Sequence, residues 1–266
     1  MNERFEGIVL FKRSHREHDG LIKVFTDQFG TKMFFVRGLN QGNNRLLAHT
    51  VPLTCHQFIG DVQESGLSFL KEGHTSEFYP LLQQDMIVQA YAVYISQLVD
   101  ASIDDNQPDL RLYQLLRQAL RSLQAGIAPE VVTAYMEIHL LARFGTHLTW
   151  NRCVHCGKTT GPYVFSIREQ GVLCSEHREM DLRHLPTSAR TLHLVALLAR
   201  SPLQQIQNVQ LSDTTLRELR ELMDEIYSEF VGIRLKSRSY LEQLLGFQTK
   251  WTLRRHQSKD KEKNTD

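Results

Sequence analysis

Residues 5–37 read FEGIVLFKRSHREHDGLIKVFTDQFGTKMFFVR, and this stretch decides the fold. It contains three short runs rich in Val, Ile, Leu and Phe, and turn-forming residues separate them at Asp19-Gly20 and at Gly30. Runs of this length and composition, bounded by Gly and Asp, are typical of β-strands. The chain is therefore expected to begin with β structure.

Two further runs of the same kind precede Gly73. Strands are expected at Phe5–Phe11, Leu21–Thr26, Lys32–Arg37, Leu53–Phe58 and Leu67–Lys71. A small set of short strands avoids exposed edges by closing into a barrel. Periodicity does not distinguish an OB-type barrel from an SH3-like barrel, so both types remain open on this ground.

From Tyr79-Pro80 onward the apolar residues follow helical spacing. Helices are expected at Leu81–Ile103, Pro108–Gln124, Pro129–Phe144, Thr187–Arg200, Thr214–Phe230 and Ser239–Leu245. Residues 150–180 lack helical periodicity and form a separate module. The sequence thus predicts an α+β protein of several parts. A barrel domain covers 1–79, a helical domain with the inserted module covers 80–256, and a disordered charged tail covers 257–266.

Overall charge gives no sign of a nucleic-acid or membrane ligand. The 266 residues include 31 Lys and Arg and 30 Asp and Glu, for a net charge of +1. Any binding to phosphates must therefore depend on local clusters. No segment approaches the roughly 18–20 apolar residues of a membrane span, and the N-terminal apolar stretch is too short and interrupted for a signal peptide. We expect a cytoplasmic protein with no membrane partner.

Three of the four cysteines lie in the inserted module. The pattern is Cys153-Val-His-Cys156, then seventeen residues, then Cys174-Ser-Glu-His177. Two ligand pairs of this spacing, joined by a hairpin, are typical of a zinc ribbon, because each tight turn presents two ligands to one tetrahedral ion. Cys153, Cys156, Cys174 and His177 are therefore predicted to bind a structural Zn²⁺. The remaining cysteine, Cys55, lies in a strand pattern and is expected to be buried.

Catalytic motifs are missing from the sequence. It contains no HExxH, no GxxxxGK[ST], no GxSxG and no zinc-deaminase pattern. A catalytic zinc normally keeps one open position, whereas four candidate ligands close the shell here. We therefore predict a protein that is not an enzyme. A zinc-dependent hydrolase or deaminase that uses Glu176, beside His177, is the alternative.

Two segments are locally basic. Residues 1–50 have a net charge of +3, and five Phe residues are interleaved with the basic ones: Phe11, Phe25, Phe29, Phe34 and Phe35. Basic groups with aromatics suit a single-strand binder, but the same pattern fits a barrel with Phe in its core and Lys and Arg in solvent. Residues 231–256 have a net charge of +5, which fits DNA, an acidic–hydrophobic peptide or a solvated helix face.

Several short segments occur in an order that matches a known family. They are Gly7–Leu10, Asp19–Ile22, Phe25-Thr26, Phe29-Gly30 and Arg37-Gly38 in the barrel, Cys153–Gly157, Phe165, Gly171 and Cys174 in the module, and Leu235–Leu241, which reads LKSRSYL. Over residues 4–246 the chain resembles the bacterial recombination mediator family RecO. The commoner family pattern has Cys where this chain has His177, and zinc accepts either ligand.

The resemblance implies an N-terminal OB-type barrel followed by an α-helical domain with an inserted zinc ribbon-like module. It also implies a nucleoid-associated DNA repair protein of the RecF pathway that binds single- and double-stranded DNA and promotes annealing. Its implied partners are RecR and the acidic–hydrophobic tail of single-strand-binding protein, with RecA loaded onto the DNA. From charge, the candidate DNA contacts are Lys12, Arg13, Arg16, Lys23, Lys32, Arg37, Arg45, Arg234, Lys236 and Arg238.

Overall fold

The fold was analysed in a computed structural model, which describes residues 2–206 and 211–247. The predicted disordered tail over 257–266 lies outside the described residues, as do the basic residues Lys250, Arg254 and Arg255. Among the described residues, no helix is both long and apolar enough to cross a membrane.

The five expected N-terminal strands are all present, and most are longer than predicted. They are β1 (Asn2–His15), β2 (Asp19–Thr26), β3 (Gly30–Val36), β4 (Cys55–Asp61) and β5 (Ser68–Glu77). The Asp19-Gly20 and Gly30 turn signals mark the starts of β2 and β3. Gly30 has a φ of +68°, and a Cβ there would lie 2.2 Å from the carbonyl oxygen of Gln107, so both the turn and the close approach require glycine.

The strands form a closed barrel in the order β1-β2-β3-β5-β4, with β1 also pairing β4. All neighbours are antiparallel except β3 and β5, whose parallel pairing joins Phe34 to Ser68 and Phe35 to Phe69. A five-stranded Greek-key barrel of this kind is the OB type. The expected OB-type barrel is confirmed, and the SH3-like alternative does not apply.

Alternation along the strands fills the barrel with aromatic rings. Phe5 stacks on Phe34 with ring centroids 5.3 Å apart and contacts Phe58 at 5.8 Å. These rings are at most 1 % exposed and pack with Val9, Val24 and Leu70. Burying each such ring stabilises the fold by about 2–3 kcal/mol, so the barrel has a core of its own.

Seven α-helices follow the barrel within residues 80–206 and 211–247. They are α1 (Pro80–Gln84), α2 (Met86–Ala101), α3 (Leu110–Gln124), α4 (Pro129–Leu140), α5 (Ala189–Arg200), α6 (Asp213–Ile226) and α7 (residues 236–247). The expected single helix over Leu81–Ile103 is wrong, because Asp85 ends α1 and caps α2. Its carboxylate accepts hydrogen bonds from the backbone N–H of Ile87 and Val88, at 2.8 and 3.0 Å.

Helix α4 occupies the centre of the helical domain. Every residue from Val131 to Ile138 is buried, and α2, α5 and α6 pack around it. A helix that is apolar on all sides is expected to be enclosed by its neighbours. Its C-terminal turn tightens into a 3₁₀ segment at Leu141–Phe144 and ends at Gly145, whose φ is +79°.

Helix α7 closes the helical domain from the far end of the chain. Helix α6 continues into a π-helical segment, Tyr227–Val231, which ends at Gly232. After this turn α7 lies beside α2, and the Ser237 hydroxyl donates to Gln97 Oε1 at 2.8 Å across 140 residues of sequence. Helix α7, late in the helical domain, is therefore hydrogen-bonded to α2, which is one of its first helices.

The barrel and the helices share one continuous hydrophobic core. The outward side chains Ile8, Leu10, Phe25 and Cys55 of the barrel are buried in the same cluster as α2 and α3. Cys55 is buried, as expected, and burial raises the pKa of its thiol to about 11. Such a thiol is a packing group rather than a nucleophile.

An ion-pair network lies beside this shared core. Arg117 of α3 contacts Glu6 Oε1 and Glu77 Oε1, each at 2.5 Å, and Arg121 also contacts Glu77. The Tyr113 hydroxyl donates to Glu6 Oε1 at 2.9 Å. Strands β1 and β5 are thus joined to α3 by charge as well as by apolar packing.

Candidate metal centre and nucleic-acid surface

Two tight turns and a hairpin build the cysteine–histidine cluster. The backbone N–H of Gly157 donates to the Cys153 carbonyl at 2.9 Å, and the N–H of His177 donates to the Cys174 carbonyl at 3.0 Å. Between the turns, β6 (Tyr163–Ser166) and β7 (Gly171–Cys174) pair antiparallel. The expected hairpin is confirmed, and it brings the second ligand pair back to the first.

The ligand atoms have the spacing of a tetrahedral site. Zinc bonds of about 2.3 Å to sulfur and about 2.0 Å to nitrogen require separations of about 3.8 Å between sulfurs and about 3.5 Å between sulfur and nitrogen. Cys156 Sγ lies 3.7 Å from Cys174 Sγ. His177 Nδ1 lies 3.3 Å from Cys174 Sγ and 3.8 Å from Cys153 Sγ. The four ligand atoms all lie within 4.8 Å of one another, so they could hold a metal ion.

Backbone N–H groups around two of the three sulfurs favour the thiolates that a metal needs. Burial raises the pKa of the Cys153 thiol, but hydrogen bonds from the backbone of Cys156 and Cys174 outweigh this effect, so the pKa is lowered. The pKa of Cys174 is lowered in the same way, with burial opposed by the backbone of Glu176. The pKa of Cys156 is raised instead, because the hydrogen bond from the Lys158 backbone is outweighed by burial and by the neighbouring Cys153 and Cys174. Deprotonated sulfur is the form that binds zinc, and the backbone favours it at Cys153 and Cys174.

Other histidines of the module point elsewhere. His155 stacks on His177 at 5.5 Å, and its Nε2 lies 3.1 Å from Glu169. His184 Nε2 accepts from Arg178 at 3.1 Å. Neither histidine belongs to the group of four ligand atoms. His177 is thus the histidine that the fold turns toward the three sulfurs.

The module is anchored in the helical core. Phe165 of β6 is fully buried in that core, and Trp150 stacks on it with ring centroids 5.1 Å apart. Phe165 also forms an isolated bridge with Leu185, just ahead of α5. The cysteine–histidine cluster therefore lies on a hairpin whose inner side is part of the main core.

Most of the candidate DNA contacts are accessible. Arg13, Arg16, Arg37, Arg45, Arg234 and Lys236 are exposed, and Lys12 is partly exposed. A surface groove lies between the β1–β2 turn and the loop that follows β3. Among its lining residues are Arg16, Arg37, Gln41, Asn43 and Asn44.

Lys23 and Lys32 use their charge within the protein. Lys23 Nζ lies 2.6 Å from Asp100 and 2.9 Å from Asp105, which ties β2 to the last turn of α2 and to the loop after it. Lys32 is only 4 % exposed, and its Nζ donates to the Gln63 carbonyl at 2.6 Å. These contacts leave both lysines poorly placed to reach a phosphate.

Arg238 is also engaged internally. Its guanidinium lies over the Tyr94 ring, 5.1 Å from the centroid, and pairs with Asp224 and with Glu242, the latter at 3.2 Å. It also approaches the buried carboxylate of Glu137, at 3.7 Å. The LKSRSYL segment therefore supplies an arginine that holds α2, α4, α6 and α7 together.

The aromatic candidates divide between core and surface. Phe25 and Phe34 are fully buried, and Phe11 and Phe29 pack against the two cores. Phe35 lies on the outer face beside Phe69, which is 44 % exposed. Sequence reasoning did not single out Phe69. The alternation of β5 would have found it, because Ser68 and Leu70 point inward and Phe69 must then point outward.

Family comparisons agree with this architecture. The family model described as "Recombination protein O N terminal" matches residues 1–79, and that described as "Recombination protein O C terminal" matches residues 83–239. Together the two matches span the barrel, the helical domain and the inserted module.

Several curated relatives match this chain along nearly their whole length. The protein named DNA repair protein RecO of Enterococcus faecalis is 38 % identical over 239 residues, which cover 90 % of this chain and 91 % of that one. Its namesake in Lactiplantibacillus plantarum is 34 % identical over 92 % of this chain and 95 % of its own. That of Streptococcus pneumoniae is 35 % identical over 90 % and 93 %. With both family matches in chain order and these relatives at full length, the chain belongs to the RecO family of DNA repair proteins.

Proposed function

We propose that this protein is a recombination mediator that binds single- and double-stranded DNA through its barrel and promotes the annealing of complementary strands. The observation that carries the proposal is the groove beside the β1–β2 turn. Arg16 and Arg37 line it with the amide side chains of Gln41, Asn43 and Asn44, and the carboxylates of Glu17 and Asp19 lie in its wall as well. The Asp19 carboxylate in the same groove already accepts the backbone N–H of Gly38 at 2.8 Å.

Arginine and amide donors in one groove suit a phosphate backbone. Guanidinium groups bind phosphate oxygens through paired hydrogen bonds, and amides add neutral donors. Such contacts are independent of base sequence, so the groove would accept either form of DNA. A protein that works wherever DNA is damaged needs binding of this kind, and DNA as ligand would place it at the nucleoid.

A second surface suits a partner peptide. Arg234 and Lys236 are exposed near a groove whose walls include Tyr94, Tyr227 and Ile233. The carboxylates of Asp224, Glu225 and Glu242 also line this groove. We propose that the acidic–hydrophobic tail of single-strand-binding protein binds where the exposed cations adjoin the apolar side chains, because such a pairing complements the tail. RecR binding and the loading of RecA onto covered DNA belong to the same proposal and follow from family resemblance.

The metal is proposed to be a structural Zn²⁺ bound by Cys153, Cys156, Cys174 and His177. A zinc ion held by all four would keep no open position for water. Glu176, the base that a hydrolase or deaminase would need, is paired with Lys158 at 2.9 Å. RecO is a family of recombination mediators rather than catalysts, so the enzyme alternative is not supported.

Labelled DNA at two salt concentrations tests the proposal. Titration of a single-stranded oligonucleotide, followed by fluorescence anisotropy, should show binding that weakens steeply with salt, because phosphate contacts release counterions. The double variant Arg16→Ala/Arg37→Ala should bind at least about tenfold more weakly. It should also lower the slope of log affinity against log salt by about 1.4, at roughly 0.7 per lost contact.

A matched control removes the same charge elsewhere. Arg152 and Arg168 are exposed arginines of the metal module, and Arg152→Ala/Arg168→Ala should leave the slope unchanged. Equal losses in the two double variants would show that the groove is not the binding surface. Salt-insensitive binding by the wild-type protein would contradict the proposed phosphate contacts altogether.

A further inference from the structure

The outer face of the barrel carries an aromatic cluster formed by His15, Phe35 and Phe69. The Phe35 and Phe69 rings meet edge to face with centroids 5.9 Å apart, and His15 meets Phe35 in the same way at 6.0 Å. The pairing of β3 with β5 sets Phe35 directly beside Phe69. We refer to these three residues as the outer-face cluster.

The outer-face cluster is separate from both cores. Phe34 and Leu70, the neighbours of these rings along β3 and β5, point into the barrel instead. Phe69 is 44 % exposed, and Leu67 beside it is 42 % exposed. Single exposed apolar residues are common, but a contiguous aromatic patch on a sheet indicates a binding surface.

A cation flanks the cluster in the same cross-strand row. Strand pairing places Arg13 beside Leu21, and Leu21 beside Phe35. Arg13 is exposed, and no salt bridge to it is seen among residues 2–206 and 211–247. One row of the sheet thus runs from an arginine to two phenyl rings. The row has charge at one end and apolar rings at the other, and a single nucleotide strand offers the matching pair of groups in its phosphates and bases.

We propose that the outer-face cluster stacks on unpaired bases and makes the barrel prefer single-stranded to double-stranded DNA. The proposal rests on the proposed DNA-binding function and deepens it. Bases in a duplex stack on one another, so their faces are closed to Phe35 and Phe69, whereas a single strand offers them. Arg13 and the groove at Arg16 and Arg37 hold the phosphates of either form.

Stacking of this kind is compatible with annealing. A ring that covers the face of a base leaves its Watson–Crick edge free, because stacking uses the π surface and not the hydrogen-bonding groups. A strand laid across Phe35 and Phe69 therefore keeps its edges available to a complementary strand. Once the duplex forms, its bases leave the rings, and the product is held by its phosphates alone.

Substitutions that keep apolar volume but remove the ring test the proposal. Phe35→Leu and Phe69→Leu should each weaken binding of a single-stranded oligonucleotide about tenfold in anisotropy titrations, since one stacked base is lost. Binding to a duplex of the same length should change by less than about twofold, and the salt slopes should match those of the wild type. Phe69→Tyr should restore single-strand binding, and Leu67→Ala should have no effect.

An abasic oligonucleotide supplies an independent readout. It should bind the wild-type protein as weakly as the normal strand binds Phe35→Leu/Phe69→Leu. Equal losses for single strands and duplexes, or no loss for either, would overturn the assignment. If the double variant kept its single-strand preference and lost binding to a protein partner instead, the cluster would be a protein-docking surface. Wild-type protein that bound neither DNA would refute the proposed function itself.

Discussion

Arg117→Met should destabilise the protein by about 2 kcal/mol. Breaking a fully buried ion pair from one side costs about 3–5 kcal/mol. Here the Arg117, Glu6 and Glu77 side chains are 23, 14 and 19 % exposed. Each carboxylate also keeps another donor, because Tyr113 donates to Glu6 and Tyr79 donates to Glu77. The cost is therefore below the fully buried range, and methionine preserves the packing of the aliphatic stem.

Urea unfolding of the full chain measures this change, with the midpoint expected to fall and the slope to stay constant. Arg121→Met is the matched control. The Arg121 side chain is 49 % exposed and pairs with Glu77, so its loss should cost no more than about 0.5 kcal/mol. In a Glu6→Gln background, Arg117→Met should cost about 1 kcal/mol less. Two results would refute a network that joins the barrel to the helices. One is an equal loss of stability from Arg117→Met and Arg121→Met. The other is a cost of Arg117→Met that is the same with Glu6 and with Glu6→Gln.

Three further predictions concern the metal, acid stability and a helix cap. Cys174→Ser should abolish zinc binding, measured by elemental analysis, and lower the melting temperature, whereas His177→Cys should keep both; a loss of DNA affinity with unchanged melting would contradict a structural metal. Burial and the nearby His49 lower the pKa of His56 from 6.5 to about 4. Its folded form is neutral, so stability is complete above about pH 6.5 and falls by about 2 kcal/mol between about pH 7 and about pH 5. His56→Gln should flatten that decline in urea titrations, and an unchanged decline would exclude His56 as its source. Asp85→Ala should cost about 1 kcal/mol in the same assay, and a neutral result would show that the α2 cap is dispensable.

The features that sequence predicted well are local ones. The strand runs of 5–37 form β1 to β3 because their turn residues and alternation act over a few positions. The cysteine pattern located the metal cluster for the same reason, since each ligand pair lies within one turn and a short hairpin joins the pairs.

Features that depend on distant partners were beyond sequence reasoning. Lys23 looked like a surface cation, but its partners Asp100 and Asp105 belong to another domain. Arg238 was likewise expected to be a surface cation, but Glu137 and Asp224 come close to it once the helices pack. The break at Asp85 was missed because the apolar stripe runs on through it, and only the capping geometry interrupts the helix. Sequence periodicity predicts helices and strands, but it does not predict which charged side chains pair across the fold.

The contact between Ser237 and Gln97 has a consequence for how the chain acquires its structure during synthesis. That contact spans 140 residues. The parallel pairing of β3 with β5 likewise cannot form until β5 has been synthesised. Chains with many such separations fold slowly, because loop closure must precede the stabilising contacts. The barrel can close once β5 has left the ribosome, whereas the helical domain stays open until α7 has been made. A truncation ahead of α7 should therefore leave the helical half vulnerable to proteases and chaperones while the barrel is already complete.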